Sequence, residues 1–398
     1  MDTENCYLAN VFSKKPIVLT RGKGALVWDI NGKEYVDCSS SYGVAALGHC
    51  HPKIVDAIRA QSEQLITCHG CYYNDKRAEF IGKLLKITPK GLNKAFLSNS
   101  GAEAVECALK LARKATGKTE IIALMGGYHG KTMGALSVTW DKKYREPFVP
   151  LIPDIKHVSP ESSSRLAEAI TEKTAAVILE PLRGEGGIRP LPEGYLQEVR
   201  EICNRRGILL ILDEVQTSFG RTGKLFGCEN WGVTPDIMCL AKPFAGGLPI
   251  GITVAKDTIM VAFKIGEHST TFSGGPLVCA AGSAAIDALI EEKLAEKAAV
   301  NGKYFKNQLE NLAKKHRIIK EIRGLGLMLG IELRHDVYGI IIKMISKGVL
   351  VIDAGRTVIR FLPPLVITKP QIDRVITALD ETLEEEENER GSSSTVSN

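Results

Sequence analysis

The chain has 398 residues, 44% of them hydrophobic and 24% charged, with 51 basic against 46 acidic side chains. That balance excludes a disordered, collagenous or coiled-coil chain, and no apolar run approaches the roughly 18 residues of a membrane helix. Ten cysteines spread through so long a chain, and a start (Met1-Asp2-Thr3-Glu4-Asn5) without a basic-then-apolar leader, predict a soluble cytoplasmic protein.

The length predicts two domains. The first 45 residues are expected to join a smaller domain, and residues 46–284 form the large one. In the latter, short apolar runs alternate with helical patterns: Ala95–Leu97, Ile121–Leu124, Ala175–Leu179, Ile208–Leu212, Ile237–Ala241 and Ile250–Ala255. Several are continuously apolar, as parallel strands covered on both faces must be. Between them, Val105, Ala108, Leu109 and Ala112 mark one face of a helix over 102–115. The fold class is therefore α/β with a mostly parallel sheet. Residues 285–383 change to long charged helices and short strands (331–333, 349–352, 358–361), a smaller α+β domain closed by a helix through Ile372, Val375, Ile376, Leu379 and Leu383. The Ser-rich, acidic stretch 384–398 has no periodicity and is expected to be disordered. The last 18 residues hold six Glu and one Arg, a balance of −5 that leaves +10 on residues 1–380. Such a body suits phosphates, nucleic acid or an acidic protein, or is simply a solvated basic surface.

Three segments carry chemistry. Ser100, three residues before Glu103, opens a helix with a capping box, and Gly101 lets backbone amides approach an anion. Asp213 and Glu214 end an apolar strand, where α/β proteins bind ligands. That strand also looks like a Walker B, and Gly-Lys-Thr occurs at 117–119 and 130–132. A P-loop needs glycine five positions earlier, where Ala112 and Met125 stand, so an ATPase is set aside. Lys242 directly follows an apolar strand, where partial burial would lower its pKa as an imine-forming amine requires. An anion cup, an acid and such an amine are the parts pyridoxal 5′-phosphate needs.

Ordered blocks then add a resemblance over nearly the whole chain: Gly48-His49-Cys50-His51-Pro52, Asn99-Ser100-Gly101-Ala102-Glu103-Ala104, Tyr128-His129-Gly130-Lys131-Thr132, residues 180–187, Asp213-Glu214-Val215-Gln216, residues 219–223 and Ala241-Lys242. The sequence resembles the class III pyridoxal-phosphate aminotransferases of the type I fold. The likeness places His49 and His51 in a family turn, so no metal site is expected there, nor at Cys68-His69-Gly70-Cys71. It implies that Lys242 holds the cofactor and shuttles the proton, with Asp213 on the pyridinium nitrogen. It also implies Gln216 near the phenolic oxygen, Val215 and Tyr128 on the ring faces, and Ser100, Gly101 and Ala102 on the phosphate. Thr271 would reach the neighbouring subunit's phosphate, which implies a homodimer with shared active sites. Glu185 would cover Arg360 until the carboxylate of 2-oxoglutarate arrives, and Tyr42 fits the substrate pocket.

The departures lie on the substrate side. Lys131 stands where many relatives have arginine, Arg183 where glutamine is usual, Gly275 where asparagine is usual, and Arg356 where a neutral residue is common. Lys131, Arg183 and Arg356 are expected at the rim or mouth of the pocket. Ser137-Val138-Thr139-Trp140, Lys143-Tyr144-Arg145-Glu146-Pro147-Phe148 and residues 357–367 look like the lysine-biosynthesis branch that works on substrates tethered to an acidic amino-group carrier protein. Acetylornithine aminotransferases, in arginine biosynthesis, are the next likeness, and ornithine δ-aminotransferases the third. The rival from another class is a non-catalytic binding protein that keeps the fold, against which Lys242 and Asp213 speak. No nucleic-acid or membrane partner is expected.

Overall fold

The computed structural model describes residues 1–395, with side chains through Arg390. Strands β1 (Leu19–Lys23), β2 (Leu26–Asp29) and β3 (Glu34–Asp37) come first. The central run supplies β4 (Lys94–Ser98), β5 (Glu120–Leu124), β6 (Ile155–Val158) and β7 (Thr174–Leu179). A small ribbon of β8 (Leu182–Arg183) and β9 (Arg189–Pro190) precedes β10 (Leu209–Asp213), β11 (Ile237–Ala241) and β12 (Gly251–Ala255). Last come β13 (Ile319–Leu325), β14 (Met328–Leu333), β15 (Val349–Leu350), β16 (Ile352–Asp353) and β17 (Val358–Phe361).

Seven strands form the main sheet in the order β4-β12-β11-β10-β7-β5-β6. Its members from β11 to β6 pair in parallel, and β12 runs antiparallel to both β11 and β4. The mostly parallel α/β sheet expected from the sequence is thus observed. Every residue of β5, β7, β11 and β12 is buried, because helices cover both faces and alternation would expose backbone-flanking polar groups to apolar packing. The helix Gly101–Thr116 buries Ala104, Val105, Ala108 and Ala112, caps its start with Ser100, and stops at Gly117 in a left-handed conformation.

Two antiparallel reversals through β12 leave β4, β11, β10 and β7 ending at one edge. The register sets Ser98 beside Gly251 and Gly251 beside Ala241, while Asp213 lies next to Cys239. A side chain at Gly251 would sit 2.1 Å from the Ser100 carbonyl oxygen, so only glycine lets the helix entry approach the strand ends this closely.

A four-stranded antiparallel sheet, β13-β14-β17-β16, holds Arg360 on β17. β15 instead pairs in parallel with β3, joining the first strands to the C-terminal part of the chain. Among the described residues no helix is long and apolar enough to cross a membrane.

The acidic stretch corrects the sequence reading. Instead of losing order at Glu384, the chain continues the last helix, Lys369–Thr395. Its carboxylates face a basic strip from neighbouring helices: Lys347 meets Glu381 and Glu385, Lys343 meets Glu386 and Glu389, and the buried His316 lies between Asp380 and Glu387. Composition alone hides this, since the neutralising charges lie 34 to 71 residues earlier. Residues 396–398 lie outside the described residues.

Candidate active site

A cavity of about 680 Å³ opens at the shared edge of the main sheet. Lys242 enters it from the end of β11 with a left-handed backbone (φ 54°), a conformation that costs a non-glycine residue energy and clusters at functional sites. Its amine is enclosed by protein. Desolvation, reinforced by the Arg360 guanidinium, outweighs the nearby carboxylates and pulls its pKa down to about 8.

Asp213 ends β10 and is 4% exposed. Its Oδ2 lies 2.8 Å from His129 Nδ1, and its Oδ1 accepts the Val215 N–H at 3.1 Å. Burial alone would push the His129 imidazole down, but the bond to Asp213 prevails and raises it. Beside them Glu180 accepts the N–H groups of Tyr128 and Gly184, and burial lifts its pKa to about 7 although His129 opposes the rise.

The helix entry supplies the anion cup. Ser100, Gly101 and Ala102 line the cavity at the N-terminus of a 16-residue helix, where free amides and the dipole favour negative charge. A side chain on Gly101 would meet Val215 Cγ1 at 2.9 Å, so the backbone here packs directly against the segment that carries Asp213. Val215, Tyr128 and Gln216 line the same cavity.

Opposite the lysine, Arg360 is fully buried and its Nη1 lies 2.7 Å from Glu185 Oε1. Its Nη2 donates to the Asp353 carbonyl at 2.8 Å, and its guanidinium sits 5.1 Å from the centre of the Tyr42 ring. Tyr42, also left-handed (φ 60°), lines the cavity and accepts a 3.5 Å bond from Gln216 Nε2 at its carbonyl. Lys131 lines the cavity from an exposed position, its ammonium 5.0 Å from the Tyr144 ring centre.

The fold therefore brings together Lys242, Asp213, Ser100, Gly101, Ala102, Tyr128, Val215, Gln216, Tyr42, Lys131 and Glu185 around one cavity, with Arg360 behind Glu185. Thr271 is not among them: it sits on an exposed turn outside the cavity. Two expectations are corrected. Arg183 does not reach the mouth, because its Nη1 donates to the Met125 carbonyl and packs under Gly126. Arg356 points to solvent, 84% exposed, and pairs with Asp336 at 3.0 Å. Among the described residues the exposed cation lining the cavity is Lys131, and the exposed Lys143 lines a smaller cavity beside it. His49 and His51 turn to separate carboxylates, Asp37 and Glu292. Sequence reading missed His129, Glu180 and Tyr144 as lining residues, along with Val11 and Phe12 from the first segment. The first three lie inside or beside quoted motifs, which was the available signal.

The residues suit pyridoxal phosphate on these observations: an anion cup too tight for a Cβ, a buried acid, and an enclosed amine of lowered pKa. Comparison with known proteins agrees. The family model for aminotransferase class-III matches residues 7–383. The acetylornithine aminotransferase of Methanopyrus kandleri is 46% identical over 379 residues, 95% of this chain and 97% of that protein. The [LysW]-aminoadipate semialdehyde transaminase of Deinococcus radiodurans is 45% identical over 383 residues, 96% of this chain and 89% of that protein. Among solved structures, the ornithine aminotransferase of Toxoplasma gondii, with partial occupancy of PLP at its active site, matches with a TM-score of 0.94 and 33% identity, over 98% of this chain and 94% of that one.

Proposed function

The chain belongs to the class III aminotransferases, enzymes that use pyridoxal phosphate, and we propose that it moves a terminal amino group from a carrier-protein-linked lysine or ornithine to 2-oxoglutarate, in lysine or arginine biosynthesis. The observation behind this reading is the buried Arg360 covered by Glu185 in the cavity that Lys242 enters. A terminal-amine donor brings no carboxylate close to its reacting carbon, so the guanidinium must be neutralised while that donor is bound. A 2-oxoacid does bring one, and an arginine fork binds it with two parallel bonds once Glu185 moves aside.

The bound cofactor supplies an electron sink for the pair left when the amine-bearing carbon loses its proton. This chain's residues do the rest. Lys242, with its pKa near 8, is neutral in a useful fraction at physiological pH and can hold the cofactor's aldehyde carbon, then take and return the substrate proton. Asp213, held in place by His129 and the Val215 N–H, keeps a proton on the ring nitrogen. Ser100, Gly101 and Ala102 would bind the phosphate, Tyr128 and Val215 would enclose the ring, and Gln216 would donate to its phenolic oxygen. Thr271 acts across a homodimer interface on the partner subunit's phosphate. Tyr42 walls the donor's chain, and Lys131 meets its far end.

The carrier part of the reading draws support from the exposed Lys131 that lines the cavity, a positive charge suited to an acidic protein that presents the amine. It is also the activity named for the Deinococcus radiodurans relative. A second reading, acetylornithine as donor, has the name of the Methanopyrus kandleri relative behind it.

The test gives purified enzyme 2-oxoglutarate with carrier-linked lysine, carrier-linked ornithine, acetylornithine or ornithine, and follows glutamate from low to moderate salt. The carrier-linked donors should be the most efficient and should lose efficiency steeply with salt. If acetylornithine is the better donor at every salt concentration, the second reading replaces the first. Borohydride reduction should fix the cofactor on Lys242, and Lys242→Ala should retain no label.

A further inference from the structure

Of the two lysines lining the cavity, Lys242 is enclosed and Lys131 exposed. Among the described residues Lys131 makes no hydrogen bond or ion pair; its ammonium is held only by the Tyr144 ring, 5.0 Å away. Lys143 lies 4.7 Å from the same ring, but Asp141 neutralises it at 3.2 Å. The unspent positive charge at this wall therefore belongs to Lys131.

The segment that carries Tyr144 is well braced. The Asp141 side chain accepts the Lys143 N–H at 3.0 Å, Trp140 N–H donates to the Gly127 carbonyl at 2.8 Å, and Arg145 Nε donates to the Trp140 carbonyl at 3.2 Å. The ring stands edge-on to Tyr128, 5.6 Å between centres. Tyr144 also lines a second cavity of about 330 Å³ beside the first, so its ring is part of the wall between the two. A lysine lacks the planar fork that lets arginine fix a carboxylate by geometry, and its four-carbon stem is mobile. An aromatic face that attracts the ammonium restricts that mobility.

We propose that Tyr144 is a positioning residue that sets specificity for donors with a carboxylate at the end remote from the reacting amine, by holding the Lys131 ammonium where that carboxylate docks. This rests on the terminal-amine reading above and adds to it the chemistry of the donor's far end.

The test uses the holoenzyme and two probes in single-turnover half-reactions followed by cofactor absorbance: N-acetylornithine, which has the remote carboxylate, and N-acetyl-1,4-diaminobutane, which lacks it. Tyr144→Leu should weaken apparent binding of N-acetylornithine roughly three- to tenfold, the range of a cation–aromatic contact, while its maximal rate and the binding of N-acetyl-1,4-diaminobutane stay unchanged. Tyr144→Phe, which keeps the ring, should restore binding. In a Lys131→Met background the Tyr144→Leu effect should vanish, since the two residues act as one unit. Tyr144→Met, which keeps bulk without an aromatic face, is the second variant should the leucine form fail to fold. Equal weakening for both probes, or an effect that persists without Lys131, overturns the proposal. If the wild type converts neither amine, carrier-linked lysine and its decarboxylated counterpart replace them as the probe pair, and if these also fail the terminal-amine reading falls and this with it. If it converts N-acetylornithine and neither Tyr144→Leu nor Tyr144→Met weakens its binding, only this inference falls.

Discussion

Arg360 has no exposed surface, and among the described residues its only carboxylate partner is Glu185. An unpaired buried charge is costly, so whichever group vacates that site must be replaced by another carboxylate. Arg360→Ala should therefore slow the 2-oxoglutarate half-reaction far more than the donor half-reaction, by about 2–5 kcal/mol, or more than tenfold. Glu185→Ala should let glutamate compete better against a terminal-amine donor. Stopped-flow measurement of the two half-reactions separates these effects, and equal slowing of both by Arg360→Ala would refute the gate. Lys242 and Asp213 stood out in the sequence because each stands at the end of a strand run whose position the apolar pattern fixes, whereas Arg360 was named only through the family resemblance. His129 was not legible as the partner of Asp213. The two are 84 residues apart, and only the parallel order of β5, β7 and β10 brings their loops together. Tyr144 stood out only as part of the 143–148 block, since an aromatic in a charged stretch carries no periodic signal of its own.

At the level of elements, every main-sheet strand with a continuous apolar run was readable, because burial on both faces leaves no other composition open to it. β6 escaped notice: Ile155–Val158 includes Lys156 and His157, and an edge strand can turn such residues to solvent. The last helix was misread for the opposite reason, as its carboxylates are held by charges on other helices. Burial alone would raise the Glu387 carboxyl, but the His316 ring and the Ile318 N–H outweigh it and hold it low. Asp380 is held low in the same way, against burial, by Lys315 and His316. A carboxyl with a depressed folded pKa adds stability above its unfolded value and loses it as pH falls through the folded one. Docking of this helix should accordingly weaken on acidification below about pH 4. Glu387→Gln should cost about 1 kcal/mol, because water reaches the pair and screens it. Hydrogen exchange at residues 369–390 is the measurement, and faster exchange confined to neutral pH would contradict the assignment.

For the whole molecule, the exposed turn that bears Thr271 does not stand alone. Arg77 donates to the Gly274 carbonyl at 2.9 Å, to Tyr72 at 2.9 Å and to Cys68 at 2.6 Å, fastening the loop 68–72 and the turn 271–274 into one face. That face exposes Ile66, Tyr72, Tyr73 and Phe272, the last 69% accessible. Large apolar side chains gathered on one surface mark an interaction site, and a closed two-fold pairing would bury the patch on both copies while carrying each Thr271 toward the other cavity. The expectation of a shared site came from the resemblance around Thr271 and not from composition, and the structure adds the apolar surface around that turn. Phe272→Glu should place two like charges at the centre of the contact and shift the protein toward monomers in sedimentation velocity, with cofactor lost on dialysis. Thr271→Ala should leave the dimer intact yet loosen the cofactor, because only one phosphate contact is removed. A Phe272→Glu protein that sediments as the wild type does and keeps its cofactor would mean that this face carries no pairing.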